Sequence, residues 1–219
     1  MPIRERVEVI SANAMLLLSR RFRHATRVHP MRPLRARTGA VILAVLAALA
    51  GASGASAQGD ASREYDVKAA FLFHFAQFVE WPQEAFNGAS SPLTYCTFGQ
   101  DPFHGALDAS LSGKKVGEHP LQVIHLKAAQ DFQGCHILFV GAAERKSISG
   151  TLAGLKGKPV LTVGETEHFT ADGGMIGFCL EDNKIRFEIN LDAAEKARLK
   201  ISSRLLSLAK HVVGASGGK

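Results

Sequence analysis

Aromatic residues are densest over residues 64–82, "EYDVKAAFLFHFAQFVEWP", where Phe71, Phe73, Phe75 and Phe78 fall within eight positions and the only tryptophan, Trp81, precedes Pro82. Wound at about 100° per residue, Val67, Phe78, Phe71, Phe75, Val79 and Leu72 share an arc of roughly 140°, which His74, Trp81 and Ala70 widen to roughly 200°. The pattern predicts a helix from about Ser62 to Trp81, capped by Ser62 and stopped by Pro82. An arc that broad predicts a core helix lying over a sheet. Lys68 interrupts it, and its stem can lie along apolar surface while the ammonium reaches water. Phe73 points the other way, near Glu80 and Ala69, so Phe73 and Trp81 are the residues left for an edge contact or a partner.

Downstream the periodicity shortens. "LTYCTFG" (residues 93–99) alternates between Pro92 and Gly99 and reads as a strand. Asp101-Pro102 predicts a short helix with Asp101 as cap and Pro102 in its first position. "PLQVIHL" (120–126) is a strand with weak sidedness. "HILFVGA" (136–142) and "PVLTVG" (159–164) are continuous apolar runs that suit strands buried on both faces. "ERKSISGTLAGLKG" between them reads as a helix stopped by Gly157. "GMIGFCL" and "KIRFEINL" are split by Glu181-Asp182-Asn183 and predict a hairpin, with Ile185, Phe187 and Ile189 on one face and Arg186 and Glu188 on the other. "NLDAAEKAR" and "SRLLSLAKHV" read as helices, the second capped by Ser202 or Ser203. Strands alternating with helices, then a hairpin, imply an α/β fold: a mostly parallel, Rossmann-like sheet with an antiparallel hairpin at one edge, flanked by helices.

Charge changes the picture once the chain is divided. The whole chain of 219 residues carries a formal +6, with 26 Lys and Arg against 20 Asp and Glu. Residues 31–57 have a basic head (Arg32, Arg35, Arg37), an apolar run from Gly39 to Ala50 and the small-residue site Ala55-Ser56-Ala57, the layout of a secretory signal peptide. The run is shorter than the roughly 20 residues that span a bilayer. Residues 1–30 read as an extension outside the natural product or without fold of its own, with Met31 the expected start. Residues 1–57 hold nine Arg and two Glu, leaving 17 basic against 18 acidic residues afterwards. The expected organisation is one domain over 58–213 and a flexible tail over 214–219, exported through the signal peptide and not membrane-spanning. A near-neutral domain gives no electrostatic reason to bind nucleic acid.

Catalytic patterns are sparse. "GAAERKS" (141–147) has Arg145 where a phosphate-binding loop needs glycine, so it reads as a strand-to-helix turn. "GASGG" (214–218) reads as tail, with neither a strand before its serine nor a helix after it, so no nucleophile elbow is expected. His74, His104, His119, His125, His136 and His168 lack metal-ligand spacing. No catalytic residue, metal site or cofactor is predicted. The three cysteines, Cys96, Cys135 and Cys179, allow one disulfide and one free thiol in an oxidising compartment, and spacing alone does not choose the pair.

The chain resembles the YfiR family of periplasmic proteins over nearly all of its mature part. The marks are "EYDVKAAFLFHFAQFVEWP" after the signal peptide and "IRFEINLDAAEKARLKISSRLLSLAK" (185–210), with "YCTFG" and "CHILFVG" fitting two central strands and their cysteines. The resemblance implies a non-enzymatic signalling protein that binds the periplasmic sensor domain of an inner-membrane GGDEF-type diguanylate cyclase and represses it, lowering cyclic-di-GMP and biofilm output. A homodimer is compatible with it. It further implies a Cys96–Cys135 disulfide, one residue mid-strand and the other opening a strand that could lie beside it. A second family disulfide is incomplete here: Cys179 matches one half, and "EHFTADGGMIG" lacks the other, which predicts a buried, inert free thiol. The partner surface is expected near Glu188, Asn190, Asp192 and Ala194. A rival reading is a periplasmic small-molecule-binding protein using a cleft at the carboxyl ends of the strands, and a third is a hydrolase assembled from loops.

Overall fold

The computed structural model describes residues 55–127 and 132–214. The expected N-terminal extension, most of the signal peptide and nearly all of the tail lie outside these residues. Among the described residues, the elements run α1 (Ala55–Phe78), β1 (Val79–Glu80), β2 (Leu93–Phe98), α2 (Ala106–Leu111), β3 (Lys115–Val116), β4 (His119–Leu126), β5 (Ile137–Val140), α3 (Ile148–Gly154), β6 (Leu161–Gly164), β7 (Ile176–Glu181), β8 (Lys184–Asn190), α4 (Leu191–Lys196), β9 (Lys200–Ile201), α5 (Ser203–Leu206) and β10 (His211–Val213). The main sheet has eight strands in the order β10-β8-β7-β6-β5-β2-β4-β3. Strands β4, β2, β5, β6 and β7 are mutually parallel, β10 runs parallel to β8, and the β7–β8 and β3–β4 pairs are antiparallel. This is an α/β fold, a mainly parallel sheet with flanking helices.

Local chemistry accounts for much of it. Strands β2, β5 and β6 are buried along their whole length, as continuous apolar runs require. The β7–β8 hairpin turns on Asp182 and Asn183, both at positive φ (49° and 57°), a geometry these short polar side chains tolerate and that matches strand twist. Asn190 caps α4 by accepting the Ala193 N–H at 2.9 Å, and Ser202 caps α5. Gly164 and Gly174 form a cradle for Phe169: a Cβ on either would lie 2.4 Å or less from that ring.

Several expectations are corrected. Helix α1 ends at Phe78, before Pro82, because Val79 and Glu80 pair antiparallel with Ile201 and Lys200. Its buried face runs through Lys68, Ala69, Leu72, Phe75, Ala76 and Val79, a seam at i, i+3, i+4 and i+7 spacing, while Val67, Ala70 and His74 face water. The expected arc followed the aromatic residues and lay to one side of the true face. Helix α2 begins at Ala106, not at Pro102. Asp101 instead closes the preceding turn, accepting the Phe103 N–H at 3.1 Å. The segment after β5 opens as a 3-10 turn (Ala142–Ser147) before α3. The last predicted helix is four residues long. His211–Val213 leaves it to become β10, which places the hairpin one strand in from the sheet's end.

Two apolar layers enclose the sheet. The α1 side gathers Leu72 and Phe75 with Tyr95, Phe139, Val163, Phe178 and Phe187. The reverse side gathers Cys96, Phe98, Leu138, Val140, Ile148, Leu155 and Phe169. Full burial of each large side chain contributes about 1.5–3 kcal/mol.

Candidate functional site

The residue that departs furthest from expectation is Lys68. It is 4 % exposed and turned into the core, not toward water. Its ammonium donates to Glu165 at 2.6 Å and to Glu64 one turn earlier in α1. Glu165 follows β6 and is itself buried. One of its oxygens accepts the Tyr65 hydroxyl at 3.1 Å and the Ala142 N–H at 2.8 Å, and the other takes Lys68. The carboxylate therefore joins α1, the turn after β5 and the end of β6. Burial, reinforced by the Glu165 charge, pushes the Tyr65 hydroxyl well above the usual phenol range. Tyr65 and Lys68 lie in the first helix, Glu165 about 100 positions later, so neither periodicity nor spacing reveals the network.

A second cluster sits at the opposite ends of β2 and β5. His136 is buried, its Nδ1 accepting the Thr94 N–H and its Nε2 donating to the Ala85 carbonyl, both at 3.1 Å. Those partners specify the neutral ring, and burial lowers its pKa from 6.5. Phe86 stacks between His136 and His119, with centroids 4.5 and 3.9 Å away. The Trp81 indole donates to the His136 carbonyl at 3.2 Å. Phe73 is half-buried, its ring 4.3 Å from the Lys114 ammonium. Both expected contact residues, Phe73 and Trp81, thus pack on the core.

Cys96 and Cys135 are joined by a disulfide, their Cα atoms 5.8 Å apart on the reverse face. Cys179 is free but not buried, which corrects that expectation: it is half-exposed on the side of β7 away from α1, opposite Arg186. Partial burial, with the Glu188 charge, still raises its pKa and holds it as a thiol.

The four residues expected at the partner surface separate. Ala194 is fully buried and cannot touch a partner through its side chain, because it lies on the inward face of α4. Asn190 is spent on the α4 cap and on the Thr170 carbonyl. Glu188, half-buried, accepts the Thr170 hydroxyl at 3.5 Å, and Asp192 is exposed. Strand β10 lies alongside, with His211 in register with Glu188 and Val213 with Asn190. Gly214 has a φ of 84°, which favours glycine, and a Cβ there would lie 2.3 Å from the Asp192 carboxyl and displace it. Val213 exposes its apolar side chain in β10, and Leu208 does so in the turn that leads into it. Sequence reading missed β10, since a three-residue strand following a short helix carries no periodic signal of its own.

The family model described as YfiR/HmsC-like matches residues 65–210, which include α1 from Tyr65 and every strand up to β9. The chain belongs to this family. YfiR/HmsC-like proteins are periplasmic regulators of cyclic-di-GMP signalling, a regulatory rather than catalytic family that acts through a membrane-associated partner. Among the described residues, no helix of this YfiR/HmsC-like chain is long and apolar enough to cross a membrane. No curated protein matches it. A solved structure, a conserved domain protein from Vibrio cholerae O1 biovar El Tor strain N16961, is similar with a TM-score of 0.40 and 11% identity. That likeness covers 54% of this chain and 54% of the other, so the match spans about half of each.

Proposed function

We propose that the chain is exported by the signal peptide at 31–57 and binds, without catalysis of its own, the periplasmic sensor domain of an inner-membrane GGDEF-type diguanylate cyclase. Binding holds the cyclase inactive and lowers cyclic-di-GMP and biofilm output. The observation that carries this reading is the YfiR/HmsC-like match over residues 65–210. We assign the contact surface to the β10 margin, with Glu188, Asp192, exposed Val213 and exposed Leu208 in the turn that leads into β10. An end strand adds main-chain donors and acceptors to those side chains. Repression requires tighter binding to the inactive state of the cyclase than to the active one.

The test is a pull-down of the sensor domain with the purified chain, paired with cyclic-di-GMP measurement in a deletion strain. Binding, a rise in cyclic-di-GMP on deletion, and loss of both binding and complementation by Asp192→Lys combined with Leu208→Asp are expected. An unchanged cyclic-di-GMP level on deletion together with no captured cyclase overturns the reading.

A further inference from the structure

Strand order in the sheet reverses between β2 and β5. The chain passes from β2 outward to β4, then returns past β2 to β5 and β6. In open α/β sheets the crevice at the carboxyl ends of the strands, beside such a reversal, is where ligands bind. A cavity of about 730 Å³ lies there, walled by α1, by the turns after β2, β5 and β6, and by α2. Its volume suits a small organic ligand.

The chemistry of its walls decides which kind. In this fold class the turn following a strand presents backbone N–H groups to anions. Here the Ala142 N–H already holds an anion, the carboxylate of Glu165. Lys68 is paired with that same carboxylate and with Glu64. An incoming phosphate or carboxylate would meet neither a free turn N–H at Ala142 nor a lysine or arginine among the lining residues. What lines the cavity, besides Glu165, is Asp66 and Asp101, the edge-to-face pair Tyr65 and Phe103 with centroids 5.5 Å apart, the polar side chains of Gln100 and His104, and small residues that leave room. Asp101 is held in place by the Phe103 N–H on one oxygen, and its other oxygen lies 3.9 Å from His125 Nδ1.

We propose that this cavity binds a small organic amine with an aromatic or apolar body. The ammonium is recognised by Asp66 and Asp101, and the body packs against Tyr65 and Phe103. The site lies at the opposite end of the strands from Asn190 and does not rest on the partner assignment.

The test is calorimetric titration of the purified protein at about pH 8 with three matched probes: phenethylamine, 2-phenylethanol and 3-phenylpropionate. Phenethylamine is expected to saturate one site at least about tenfold more tightly than the alcohol, with no saturable binding of the carboxylate. Amide resonances of Gly105 and Ala142 should shift on amine addition. The Asp66→Asn/Asp101→Asn variant, which keeps the acceptor for the Phe103 N–H, should lose at least about tenfold in affinity with its melting temperature retained. Ala109→Trp, at an exposed lining position, should abolish binding by filling the cavity, and serves if the double variant fails to fold. Absence of saturable phenethylamine binding, equal binding of the carboxylate, or unchanged affinity in folded variants of either kind overturns the proposal.

Discussion

The two faces of the sheet are built from the same strands and held by different means. Under α1, one long helix lays Leu72, Phe75 and Ala76 onto Phe178 and Phe187, the Phe75 ring 5.7 Å from the first and 5.1 Å from the second. Among the described residues, the reverse face is covered by a 3-10 turn, the seven-residue α3, the Phe132 segment and the Phe169 loop, and beyond Gly177 it opens to solvent at Cys179, Arg186 and Glu188. The disulfide lies on that thinner side. A continuous helix can close a face by burial alone. Short segments bury less apolar area per ordered residue, and a cross-link offsets the deficit by narrowing the unfolded ensemble.

The largest expected effect probes the helix side. Phe75→Ala should cost about 4 kcal/mol in urea unfolding, from lost transfer energy and a cavity between Phe178 and Phe187. A cost near 1 kcal/mol would show that α1 is not what closes that face. Next, Cys96→Ser with Cys135→Ser should cost about 3–4 kcal/mol, since the bridge spans a separation of 39 residues. Wild type under reductant should then match the variant. An unchanged unfolding midpoint would erase the contrast between the faces.

Lys68→Met is expected to cost about 3 kcal/mol by leaving Glu165 buried without its countercharge, softened by the Tyr65 and Ala142 donors that remain. Adding Glu165→Gln should recover most of that loss in a double-mutant cycle. No recovery would mean that the pair does not act as a unit.

The smallest effect is on pH. The folded pKa of His136 lies below its unfolded value of 6.5, so the unfolded chain binds more protons as the solution becomes acidic. Its stabilising contribution is complete above about pH 6.5 and is lost as pH falls through the lowered folded value. Thermal melts between about pH 7 and 5 should show a declining midpoint, and His136→Gln should flatten that decline. An equal slope in both proteins would remove His136 as its source.

Legibility followed the range of the interactions. Strands β2, β5 and β6, the Asp182-Asn183 hairpin and the Asn190 cap were readable because each rests on neighbours in sequence. The face of α1 was read a little askew, because alanine and lysine contribute weak apolar signal where Ala69, Ala76 and Lys68 turn inward. The residues expected at the partner surface lie close together in sequence and do not share one face. Whether Ala194 points in and Asp192 out depends on how α4 is rolled onto the core.

The amino-acid order by itself determined the α/β class, the sequence of the main elements and, through its motifs, the YfiR/HmsC-like resemblance, since period, turn chemistry and caps act over a few residues. Only the tertiary structure decided that Lys68 meets Glu165, that His136 sits neutral between Thr94 and Ala85, that β10 joins β8, and that a cavity opens between β2 and β5. Each of those joins groups tens of residues apart. A buried charge or an end strand is tolerable only once the distant partner is in place, and no local pattern encodes that partner.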